Sequence, residues 1–228
     1  MVRALLDGRK TQTRRVLSSV RTFGLPDSSA CTLRGDDLAR ALLEAHDFRN
    51  VGGSAWAWKA KAFDHQAPAQ FTTWYAHLRI APGDRLWVKE TARLVSVGPA
   101  TTRGIVYAAD GENAEVRFTT QPEDAKGLYR IKTTPSIHMP RWASRITLLV
   151  EDVRVERLHA ITERDAMAEG ADPILVPPDG GSAPHVEGFR ALWSSINGPD
   201  AWAANPWVVV VGFKVVRANI DAPEARAA

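Results

Sequence analysis

The chain has 228 residues, 45% of them hydrophobic, enough to bury a full core in one large domain carrying long insertions. Its 29 Lys and Arg against 26 Asp and Glu give a formal charge of +3 and a pI near 9.2, which permits nucleic-acid binding without requiring it. The single cysteine, Cys31, excludes an internal disulfide and any zinc site built on several thiolates; with no signal-peptide core in the first residues and no apolar run of about 18, a cytoplasmic protein is expected.

Val2, Ala4, Leu5 and Leu6 read as a short helix, with Gly8 placed for a left-handed conformation just past its end. The octapeptide Gly8-Arg9-Lys10-Thr11-Gln12-Thr13-Arg14-Arg15 follows. Alternation from Thr11 predicts a strand with Thr11, Thr13 and Arg15 facing one way and Gln12, Arg14 and Val16 the other, leaving Lys10 in the connecting loop. A lysine and a threonine three residues apart are the types that act as base and nucleophile, and Arg9, Arg14 and Arg15 can hold a phosphate or polar ligand beside them. Taken alone, the same run is an ordinary solvated helix end.

Residues 18–80 read as an insertion, with a helix predicted over 37–46 after an acidic start and a Gly52-Gly53-Ser54 breaker. Pro82-Gly83-Asp84 is a turn, after which 85–90 alternates as a half-buried strand. Further strands are expected over 104–109 and 128–133. The clearest covers 145–157, where Ile146, Leu148, Val150, Val153 and Val155 break phase near Glu151 and Asp152, as a bulge would cause. Thr162 and Asp165 form a capping-box pattern at the start of a short helix that Gly170 ends. A second insertion, over 170–186, is a Pro- and Gly-rich loop. Phe189, Leu192, Trp193 and Ile196 then place a helix over 186–196, and the valines of 206–216 predict a strand buried on both faces. Residues 219–228 read as a flexible tail, so that 1–218 would form the domain.

This succession of strands with few helices favours an α+β fold, a small mixed β-barrel, over a doubly wound sheet. There is no glycine-rich phosphate loop, no serine elbow and no His pair at helical spacing, so neither a metal nor another cofactor is expected. Trp142 and Arg145, after Pro140, suit nucleotide stacking or pairing, and equally suit packing. Glu169 sits in the last turn of the predicted helix that Gly170 ends, where the macrodipole disfavours negative charge, and local rules are broken most often at functional sites.

The octapeptide resembles the signature of the ASCH family, Gly-x-Lys-x-x-Glu-x-Arg within a PUA-like β-barrel, through Gly8, Lys10 and Arg15. Thr13 stands where many members carry Glu. That departure is similar to small bacterial N(4)-acetylcytidine amidohydrolases of the family, in which a Thr, a Lys three residues before it and a Glu from a later helix act together. Their later segment, Leu-Thr-Glu-x-x-Ala-x-x-Glu, resembles Ile161-Thr162-Glu163-Arg164-Asp165-Ala166-Met167-Ala168-Glu169 here. The 83–88 and 207–214 segments resemble two family strands, and 135–145 is similar to a segment of longer phage and prophage relatives; the likeness covers about half of the chain. Relatives usually open with a strand before the first helix.

The resemblance implies a metal-independent amidohydrolase that releases the acyl group of an N(4)-acylated cytosine or cytidine, with Lys10, Thr13 and Glu169 catalytic. Arg9, Arg15, Glu90, Trp142 and Arg145 are the candidate substrate contacts. Thr13 would attack the amide carbonyl with Lys10 as base and Glu169 orienting the lysine or passing a proton; alternatively Lys10 is the cation that stabilises the oxyanion and Glu169 the base. The competing readings are an RNA-binding PUA-like module, a ribonuclease, and an inactive phage-encoded accessory protein in which Thr13 only packs.

Overall fold

The computed structural model describes residues 1–17, 19–23, 30–34, 46–52, 55–61, 71–96, 103–113, 117–119, 133–174 and 183–225. Where the sequence predicts one domain, the chain divides into two compact units: Met1–Thr11 with Arg85–Leu149 and Phe213–Ala228, and Gln12–Asp84 with Val150–Gly212. Antiparallel strands with a few short helices make up the described residues, an α+β arrangement. Two long strands, β11 (Thr147–Arg157) and β12 (Trp207–Val216), contribute residues to both units.

In the first unit the helix α1 (Val2–Leu6) ends at Asp7, and Gly8 takes the left-handed φ of 71° that its place after the helix predicts. A three-stranded sheet runs in the order β10 (Arg117–Thr119), β9 (Arg103–Tyr107), β8 (Ala92–Ser96). Its β9 stops at Tyr107, short of the expected end, because Ala108–Asn113 turns into a 3-10 helix. Strand β7 (Arg85–Trp87) pairs with Thr147 to Leu149 and is likewise shorter than expected. Of the strand expected over 128–133, all but Thr133 lies outside the described residues; Thr134 bridges to Ala92. Ala92, Ile105, Tyr107, Met139 and Ala143 form the core, with Trp87 and Trp142 packed against it.

The stretch after Asn219 is anchored where a flexible tail was expected. Asn219 Nδ2 donates to the carbonyls of Arg141, Trp142 and Ser144, Arg85 donates to those of Ile220 and Ala225, and Arg141 pairs with Asp221. These bonds satisfy carbonyls of an irregular segment that has no ladder of its own.

In the second unit β1 (Gln12–Val16) pairs antiparallel with β12, from Gln12 opposite Gly212 to Val16 opposite Val208. Val208, Val209, Val210 and Val211 are all buried, as a strand covered on both faces requires. The predicted phase break in β11 appears as two consecutive exposed residues, Glu151 and Asp152, between buried Val150 and Val153. The expected insertion over 18–80 carries a five-stranded antiparallel sheet, ordered β3 (Ala30–Arg34), β2 (Ser19–Phe23), β6 (Phe71–His77), β5 (Ala55–Lys61), β4 (His46–Gly52). His46, the last residue of the helix expected over 37–46, opens β4; the rest of that helix lies outside the described residues.

Two helices follow. In α2 (Glu163–Ala168) the capping box is complete: Thr162 accepts from the Asp165 N–H while the Asp165 carboxylate takes the Thr162 N–H, and Gly170 has a φ of 73°. The helix α3 (Pro184–Asn197) is slightly longer than predicted, with Pro at its start and Gly198 after its end. No side chain of its own caps it; Glu163 of α2 accepts from the backbone N–H groups of His185 and Val186. Phe189 and Trp193 of α3 pack with Leu158, Ile161, Ala166, Ala171, Val208 and Val210.

Candidate functional site

The residues singled out by sequence fall into both units. Lys10 belongs to the first. Its backbone N–H donates to Ala4 O at 2.9 Å, folding the chain back on α1, and the residue is 7% exposed. Arg9 is exposed and pairs with Asp7 at 3.4 Å. Glu90 and Arg145 are brought together in the same unit: Arg145 Nε and Nη2 donate to the two Glu90 oxygens at 3.1 and 2.9 Å, and Asp110 takes two further bonds from the same guanidinium. Arg145 also lies 4.0 Å over the Tyr107 ring, whose hydroxyl donates to Ala143 O. Burial works against the charge on Arg145, and the two carboxylates more than offset it, so its pKa is raised. Glu90 and Arg145, expected to touch a substrate, are thus engaged with each other, and Trp142 is half-buried against the core. A shallow cavity of about 260 Å³ lies nearby, lined by Ala92, Arg93, Val106, Tyr107, Ala108 and Thr133.

Thr13, Arg15 and Glu169 belong to the second unit. Neighbouring side chains on a strand leave on opposite faces, so half-buried Thr13 and exposed Arg15 share the face opposite to buried Gln12 and Arg14. Arg14 is what reaches Glu169. Its Nη1 lies 3.2 Å from Glu169 Oε1, with the two side chains 0% and 4% exposed. Its Nη2 lies 2.7 Å from Glu156 Oε1 and 3.5 Å from Asp165 Oδ2. Arg154 extends the cluster, donating to Glu156, Asp165, Asp152 and Gln12. The unfavourable position of Glu169 at the end of α2 is therefore offset by a buried guanidinium.

Sequence reasoning missed this cluster. The signal was present in part: Gln12 and Arg14 alternate onto one face of β1, and Arg154 and Glu156, two apart on β11, share a face as well. What no local pattern supplies is that these faces meet each other and the helix carrying Asp165.

Asp165 gives the cluster its pH response. Burial pushes its carboxyl up, but hydrogen bonds from Thr162 and Gln12, with the charge of Arg14, outweigh that and hold it down to about 2 against 3.8. A carboxyl depressed in the folded chain contributes stability above its unfolded value, lost as pH falls through the folded one. Urea midpoints are therefore expected to drop as pH falls from 3.8 to about 2, and Asp165→Asn should flatten that part of the profile.

Among the described residues no group of three or more His, Cys, Asp or Glu is placed to hold a metal ion, and no helix is long and apolar enough to cross a membrane. No protein-family model matches the chain, and neither a curated protein nor a solved structure matches it.

Proposed function

We propose that the chain is an amide hydrolase of the ASCH type, on a PUA-like barrel, that converts N(4)-acylated cytosine or cytidine to the free amine and a carboxylic acid. The observation that carries this reading is the buried carboxylate of Glu169, held by Arg14 of the strand that also bears Thr13. It joins the strand part of the first resembling segment, Gln12 to Arg15, to the second, Ile161 to Glu169. Thr13 Oγ1 attacks the acyl carbonyl carbon, the C–N bond breaks, and the exocyclic nitrogen leaves with a proton; water then cleaves the threonyl ester to release the acid. Because Arg14 and Thr13 leave β1 on opposite faces, the carboxylate clamped by Arg14 is better suited to orienting a partner than to taking the Thr13 proton. The role of base then falls to Lys10 by the family resemblance alone.

The test is turnover of N(4)-acetylcytidine, following cytidine, by the protein and by Thr13→Ala and Glu169→Gln. Loss of turnover in Thr13→Ala, with melting unchanged, is expected; no turnover by the parent protein, or equal turnover in all three, refutes the assignment. Exposed Arg15 and Arg9 favour RNA binding as the second reading. Salt separates them: an RNA complex that neutralises several phosphates weakens steeply with rising salt, whereas hydrolysis of an uncharged nucleoside does not.

A further inference from the structure

We infer that Arg14 is a positioning residue for Glu169, an inference that rests on the amide-hydrolase reading. A guanidinium with no exposed side-chain surface is an expensive occupant of a strand interior, and its Nε–H finds no acceptor among the described residues, which leaves a desolvated donor uncompensated. An apolar residue at this place on β1 would avoid both costs, as replacements of buried ion pairs show. The arrangement makes sense as a clamp. Nη2 is anchored on Glu156 of β11 at 2.7 Å, Phe189 of α3 lies 6.0 Å from the guanidinium carbon, and Nη1 is left directed at Glu169 Oε1.

The clamp solves a specific problem. Glu169 is the C-cap of a six-residue helix, where the backbone frays and the negative end of the macrodipole disfavours a carboxylate. A cation on the neighbouring strand fixes the side chain against both. Reacting groups must be held within fractions of an ångström, and misplacement of about 1 Å costs of order 100-fold in rate. Arg14 touches Glu169 and no reacting atom is required of it.

Arg14→Met is expected to lower kcat on N(4)-acetylcytidine by about 10- to 100-fold with KM within about 3-fold, and Arg14→Lys, which keeps the charge, to recover part of the loss. Melting is followed alongside, since a purely structural role would lower stability without that kcat-against-KM split or the lysine rescue. Should Arg14→Met fail to fold, Glu156→Gln serves instead: it loosens the anchor without touching Glu169 and should lower kcat in the same sense. Unchanged kcat in the variants beside an active parent protein overturns the positioning role alone. A parent protein that never turns over the substrate refutes both this role and the hydrolase reading.

Discussion

Replacing Glu90 by alanine is expected to destabilise the protein by about 3–5 kcal/mol, read as a fall in the urea midpoint at unchanged slope. Glu90 is 2% exposed and gives both oxygens to Arg145, itself 6% exposed. Removing one partner of a buried pair leaves the other charge desolvated, and that penalty exceeds the worth of the bond itself. Asp110 remains on the same guanidinium, which places the expected value at the lower end of the range. The double variant Glu90→Ala with Arg145→Met should be less destabilised than the sum of the two single changes, because it removes the orphaned charge. If Glu90 instead served a substrate, the loss would appear in KM with the midpoint unmoved.

Gly188→Ala is the second large effect, and its sign is informative. In a helix interior alanine ordinarily stabilises by about 0.5–1 kcal/mol over glycine. At this position an added Cβ would lie 1.9 Å from the Asp172 carbonyl oxygen and 3.0 Å from its carbon, and both are backbone atoms that cannot rotate away. The helix or the segment after Gly170 must shift, so destabilisation of about 1–3 kcal/mol or more is expected, seen as about 2–4 °C in Tm for each kcal/mol. Because Asp172 follows Glu169 by three residues, turnover of N(4)-acetylcytidine should fall in the same variant. A rise in Tm would show that the segment yields easily.

Much of the local structure was legible in the sequence, and for definite reasons. The alternation of β1, the valines of β12, and the Thr162 and Asp165 capping box each follow from the geometry of a few adjacent residues. The site was legible only as fragments. Glu90 and Arg145 are 55 positions apart and Arg14 and Glu169 are 155 apart, so nothing in either neighbourhood states that one guanidinium answers one carboxylate. Over 85–90 and 104–109 the alternation in the sequence outlasts the ladder: Val88 N still bonds Ile146 O outside the strand, and Ala108 turns into a 3-10 helix. The stretch after Asn219 looked like a tail because it is Ala-rich and charged, while its order comes from side chains that cap carbonyls far away in sequence.

The dependence of α3 on Glu163 has a further consequence. Six residues are too few for α2 to persist as an isolated helix, since nucleation alone outweighs what so short a ladder returns. Its first turn supplies the acceptors for the first backbone donors of α3, and both helices share Ala166, Phe189 and Trp193 in one apolar cluster. The two helices are therefore expected to open together, as a single cooperative unit in native-state hydrogen exchange. Glu169, at the end of the shorter helix, then depends on that unit as a whole, and its placement should hold only while α3 stays docked.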